Sequence, residues 1–179
     1  MLNPLESVLV MVDIQGSLAD VVNRSELVLP RALQILKGCQ ALEIPVLATV
    51  QVPEKLGPVL HGLEEALGDT VPIPKAAFSA VREPEFLLAL RQTGRMQVLL
   101  TGIESHVCVL QTGLDLLDSG FEVYLLCDVV FSRTAENCQL GIQRLLDAGA
   151  VRSGIEMALF ELIRTSVHPQ FRTISKLIK

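Results

Sequence analysis

Residues 97–127 read QVLLTGIESHVCVLQTGLDLLDSGFEVYLLC, and this stretch decides the fold. Its ends, Gln97–Thr101 and Glu122–Cys127, are short apolar runs, too short for helices, and read as buried strands. Between them Val107, Leu110, Leu114 and Leu117 recur at spacings of three, four and three, the period of a helix with one apolar face. Gly120 follows, a residue suited to a left-handed helix C-terminus. Strand, helix and strand make a βαβ unit, whose continuously apolar strands belong to a parallel sheet covered on both faces.

The same pattern continues in both directions. Upstream, Pro84–Gln92 reads as a helix stopping at Gly94; downstream, Ala135–Ala148 reads as a helix stopping at Gly149, with a short strand at Val151. Nearer the N-terminus, Ser7–Val12 (SVLVMV) and the run from Ile44 to Val50 read as strands, with a helix from Pro30 to Leu42 between them. A further helix begins near Glu156, and 168–179 suits a short amphipathic one. Alternation of this kind predicts an α/β fold, a doubly wound parallel sheet in three layers, α/β/α. No Ser/Gly-rich linker interrupts it, so 1–179 is expected to form a single domain.

Composition narrows the function. Half of the 179 residues are apolar and only 4% are aromatic, so the core is built from Leu, Val, Ile and Ala. The net charge of −5 and the lack of a Lys/Arg stripe argue against a nucleic-acid partner. No apolar run approaches the ~20 residues needed to cross a bilayer, and the uncharged start at Met1 does not read as a signal peptide. Four widely spaced cysteines without C-x-x-C suit reduced thiols and a cytoplasmic setting. No metal-ligand spacing, P-loop or dinucleotide fingerprint is present, so neither metal nor cofactor is expected.

In such sheets ligands bind at the carboxyl ends of the strands, which draws attention to reactive residues that follow strands. Asp13 closes the first strand, where burial would raise its pKa and suit it to general-base work; alone, it fits equally an acid capping a turn. Lys75 follows Val71-Pro-Ile-Pro, a stiffened approach, although most lysines are simply solvated. Cys108 falls in the first turn of the central helix, away from the middle of its apolar stripe, where free N–H groups and the helix dipole would stabilise a thiolate or an oxyanion. Cys39, Cys127 and Cys138 read as ordinary thiols within helices and a strand. His106, two residues before Cys108, is placed to line the crevice.

Three segments in order, Val-Asp13-Ile-Gln15, Pro-Lys75-Ala-Ala-Phe-Ser and Thr-Gly102-Ile-Glu-Ser-His-Val-Cys108, resemble the isochorismatase-like cysteine hydrolases over essentially the whole chain. The resemblance implies a six-stranded Rossmann-like sheet and a catalytic triad of Cys108, Asp13 and Lys75. Cys108 would attack an electrophilic carbon, Asp13 would take its proton and later activate water, and Lys75 would lower the thiol pKa. It also implies a cis peptide at Ile103–Glu104, an oxyanion hole from the backbone N–H groups of Glu104 and Cys108, and a homo-oligomer. Gln15, Gln51, Phe78, Glu104 and His106 would line the pocket for a small-molecule, amide-like substrate. Where the metal-binding branch has Asp-x-His, this chain has Thr49-Val-Gln51, which implies a metal-independent site. Two other readings compete: a binding protein with an inherited triad, and a C–O hydrolase in which Cys108 is a spectator.

Overall fold

The computed structural model covers residues 1–179, and its elements follow in the order β1 (Ser7–Val12), α1 (Gly16–Val21), α2 (Val28–Ala41), β2 (Val46–Gln51), α3 (Pro53–Leu56), α4 (His61–Leu67), β3 (Ile73–Lys75), α5 (Pro84–Gln92), β4 (Gln97–Ile103), α6 (Cys108–Asp118), β5 (Glu122–Phe131), α7 (Ala135–Asp147), β6 (Val151–Ser153), α8 (Ile155–Ile163) and α9 (Phe171–Leu177). Six strands form one sheet in the order β3-β2-β1-β4-β5-β6, and every pairing is parallel. The chain winds outward from β1 to β3, then restarts on the other side of β1 with β4. The carboxyl ends of β1 and β4 therefore frame the topological switch point, where such folds hold ligands.

Burial explains why the strands are apolar throughout. Every residue of β1 and β4 is buried, because helices cover both sheet faces. Leu9, Met11, Leu99 and Leu126 join Ile35, Leu36, Leu159 and Leu162 from α2 and α8 in one core. Val8, Val10, Val98 and Leu100 join Phe86, Leu90, Val109, Leu116 and Leu145 from α5, α6 and α7 in a second core on the opposite face. Each such side chain contributes ~1.5–3 kcal/mol through removal from water. Alternate residues of one strand thus serve opposite layers.

The structure also differs from the expectations in places. β4 and β5 run on to Ile103 and Phe131, and β5 carries an irregularity: Leu100 pairs with Leu125, but Gly102 pairs with Val130. The short helices α1, α3 and α4 were not visible in the periodicity, being four to seven residues long. Lys75, at the end of a stiffened approach, is the last residue of β3, an edge strand of three residues in register with the end of β2. Pro74 is tolerated because β3 is an edge strand.

Candidate active site

Asp13, Lys75 and Cys108 meet at the switch point. Asp13 comes directly after β1 with a positive φ of 53°, a left-handed turn that takes the chain out of the strand. Its carboxylate is fully buried and lies 2.7 Å from Lys75 Nζ. Thr49, on the neighbouring strand β2, donates its hydroxyl to the other carboxylate oxygen at 2.7 Å. Thr49 was not expected to contribute; a threonine in a strand is ordinary, and only the register of β2 beside β1 gives it this role.

Lys75 is enclosed. Besides Asp13, its ammonium donates to Gln51 Oε1 and to the carbonyls of Ala77 (3.1 Å) and Phe78 (3.0 Å). Three N–H groups thus face four acceptors. The Ala76–Phe78 loop that supplies two of these carbonyls is itself held by Glu83, whose Oε1 accepts from the Ala76 and Ala77 amides, each at 2.9 Å. Half-buried Glu83, just before α5, therefore shapes the lysine's surroundings, and nothing in the sequence marked it.

Cys108 opens α6 and is 6% exposed, packed in the core that lies beneath α6. The expectation that it lies apart from core packing is corrected here: its side chain belongs to that apolar cluster as well as to the triad. The charges of Asp13 and Lys75 both act on its thiol. Burial pushes the thiol up to about 12, the Asp13 charge adds to the rise, and Lys75 pulls the other way without prevailing. The expected low-pKa thiolate is thus not the resting form; desolvation outweighs the lysine. Burial also raises the Asp13 carboxyl, against the pull of Lys75 and Thr49. A protonated thiol beside a base of raised pKa is an arrangement in which the proton moves when an electrophile arrives.

The backbone beside Cys108 supplies donors. The Ile103–Glu104 peptide is cis. Val107 and Val109 both donate to the Glu104 carbonyl at 3.1 Å, whereas the amides of Glu104 and Cys108 donate to no protein acceptor. Gly102 has φ 131°, and a Cβ there would collide with the Val12 carbonyl. Only glycine lets β4 pass this close to the residue before Asp13.

The residues expected to line a pocket fall into different roles. Gln15 is fully buried: its Nε2 donates to the carbonyls of Gln51 (2.9 Å) and Gly57 (2.8 Å), and its Oε1 accepts from the Gln51 amide at 2.6 Å. It braces the chain after β2, and its burial keeps it from a ligand. Gln51 spends its side chain on Lys75 and on the Ala76 carbonyl. Phe78 holds Lys75 with its carbonyl while its ring is 53% exposed. Glu104 pairs with Arg133 at 2.9 Å. Half-buried His106 contacts Ser132 Oγ through Nδ1 at 3.0 Å. A separate cavity of about 180 Å³ lies between α2, the end of β5 and α7, lined by Arg24, Arg31, Cys127, Asp128 and Cys138, away from the triad. No group of three or more His, Cys, Asp or Glu side chains is arranged to hold a metal ion.

A parallel doubly wound sheet with an acid, a lysine and a cysteine gathered at its switch point defines an isochorismatase-like hydrolase. The chain belongs to the isochorismatase family, whose domain model matches residues 7–156. Isochorismatase domain-containing protein 2 of Homo sapiens is 37% identical over 177 residues, covering 98% of this chain and 84% of that protein. The secreted isochorismatase effector Isc1 of Phytophthora sojae is 36% identical over 180 residues, covering 98% and 86%. Among solved structures, the MAR1 ribonuclease from Caenorhabditis elegans superposes with a TM-score of 0.92 at 32% identity, covering 99% of this chain and 91% of that one.

Proposed function

We propose that this hydrolase is a metal-independent cysteine amidohydrolase acting on a small amide-like substrate. One observation carries the reading: Cys108 opens α6 where the charges of the buried Asp13–Lys75 pair act on its thiol, and its own amide and that of Glu104 have no protein acceptor. As the substrate carbonyl approaches, Asp13 takes the thiol proton and Sγ bonds to the carbonyl carbon. The developing oxyanion is met by the Glu104 and Cys108 amides. The C–N bond then breaks, the leaving nitrogen takes the proton, and a thioester remains. Water attacks that thioester, giving its proton through Asp13 to the departing thiolate and releasing the acid. Lys75 keeps Asp13 in position through their 2.7 Å contact.

The metal-independent part rests on what Thr49 and Gln51 do. Their side chains serve Asp13 and Lys75 rather than standing free as ligands. The ribonuclease name of the nematode relative is not carried over, because a phosphate backbone calls for clustered cations and this chain carries −5. A cytoplasmic homo-oligomer remains part of the proposal; no helix is long and apolar enough to cross a membrane.

Screening small amides for ammonia release, with intact-mass detection of acyl adducts, tests the reading. An adduct on Cys108, and turnover abolished in Cys108→Ala, is the expected result. Turnover that survives in Cys108→Ala would assign the chemistry to another group.

A further inference from the structure

Ser105 and Ser132 are almost wholly buried behind the segment that leads to Cys108. Three contacts link them in a line. Ser105 Oγ donates to the Cys138 carbonyl on α7 at 3.1 Å, Ser105 Oγ and Ser132 Oγ are 2.8 Å apart, and Ser132 Oγ is 3.0 Å from His106 Nδ1. The two hydroxyls own two protons between them, but the line has three hydrogen bonds. The Ser105 proton goes to the carbonyl, which only accepts. The Ser132 proton then fills the Ser105–Ser132 bond. The third bond needs its proton from the imidazole, so His106 carries hydrogen on Nδ1, and in the neutral ring Nε2 is then a bare lone pair. Any other arrangement leaves one of the three bonds without a proton.

The line is held rigidly. A Cβ at Gly141 of α7 would meet the Ser105 carbonyl and the His106 Cα, so the helix backbone presses directly on this segment. His106 itself is half-buried rather than enclosed. The neighbouring groups offer a substrate few acceptors. Lys75 and the two free amides only donate, Gln15 and Gln51 are engaged, the Asp13 carboxylate is held by Lys75 and Thr49, and Glu104 is paired with Arg133.

We propose that His106 is a specificity residue whose Nε2 accepts a hydrogen bond from a substrate N–H, selecting primary and secondary amides over tertiary amides and esters. This deepens the amidohydrolase reading and rests on it: the free amides would hold the substrate carbonyl, and Nε2 would hold the nitrogen that leaves. Two measurements on the full chain test it. The first is a long-range ¹H–¹⁵N correlation spectrum of uniformly labelled protein in mildly alkaline buffer, with His106→Gln to assign the signal. An Nδ1–H tautomer is expected, and it should be lost in Ser132→Ala; an Nε2–H tautomer in the wild type, or one indifferent to Ser132, overturns the proposal. The second compares labelling of Cys108 by acrylamide and by N,N-dimethylacrylamide, followed by mass spectrometry. In both, the Sγ–carbon bond forms and the thiol proton ends on the carbon next to the carbonyl. The wild type should prefer acrylamide about five- to tenfold more than glutathione does, and His106→Ala should fall to the glutathione ratio. An unchanged ratio in His106→Ala overturns the role of His106 while leaving the nucleophile intact. A Cys108 inert to both reagents, in a folded protein, overturns the amidohydrolase reading and this proposal with it.

Discussion

The Asp13–Lys75 pair sets the character of the site because neither side chain touches water. Replacing Lys75 by Met strands a buried carboxylate, and replacing Asp13 by Asn strands a buried ammonium. Each single change should lower stability by ~3–5 kcal/mol in urea titrations, and the double variant should recover part of that loss. The thiol behaves in the opposite way from an exposed one. With Cys108 pushed up to about 12, its alkylation by a small neutral reagent should keep rising beyond 9.0, the ordinary thiol value. Lys75→Ala should move the curve further up, since the ammonium is the one neighbour pulling the thiol down. A plateau reached below neutral pH would show instead a resting thiolate. Asp13, Lys75 and Cys108 were legible as candidates in the sequence because the first two stand at strand ends and the third opens the helix that follows a strand. The resting protonation was not, because it depends on how much water the neighbours exclude.

At the scale of elements, two glycines separate conformation from space. Gly102 and Gly120 both adopt positive φ, 131° and 85°. Around Gly120 a Cβ would meet nothing within 4 Å, whereas at Gly102 it would run into the Val12 backbone. Gly120→Ala should therefore cost only ~1 kcal/mol, the strain of the left-handed turn. Gly102→Ala must also push β4 from β1, and it should lose several times more stability together with the alignment of Asp13 and Cys108. Urea midpoints for the two variants, side by side, check this; equal losses would remove the close approach as an explanation. Gly120 was readable as a helix stop, while Gly102 takes its meaning from a neighbour about 90 residues away in the chain.

For the whole molecule, two buried thiols set the alkaline limit. Burial raises both Cys39 and Cys108 from 9.0 to about 12. Between those values the unfolded chain gives up protons that the folded chain retains. Stability is then unaffected below 9.0 and declines as pH rises toward 12. Unfolding free energy measured across this range should fall, and Cys39→Ala should flatten the slope even though it starts from a lower value. A slope unchanged in Cys39→Ala would mean that the Cys39 thiol is reached by solvent in the native state.

The sequence by itself determined the layers and the order of the elements. Continuous apolar strands, helices of period 3.6 and glycine stops leave little choice but a parallel sheet covered on both faces, with Asp13 and Lys75 at strand ends and Cys108 opening the helix after one. Tertiary structure alone decided what each polar residue does there. Gln15 and Gln51 look like ligand-binding groups in a string of letters, yet β2 lies where their hydrogen bonds close on each other and on Lys75. Thr49, Glu83, Ser105 and Ser132 carry no sequence signal, and each acquires its role from a partner brought across the sheet or a loop. Hydrophobic period is a local property that a chain displays residue by residue. Hydrogen-bond satisfaction and desolvation are pairwise and depend on distance in space, so they come into being only when the chain has folded.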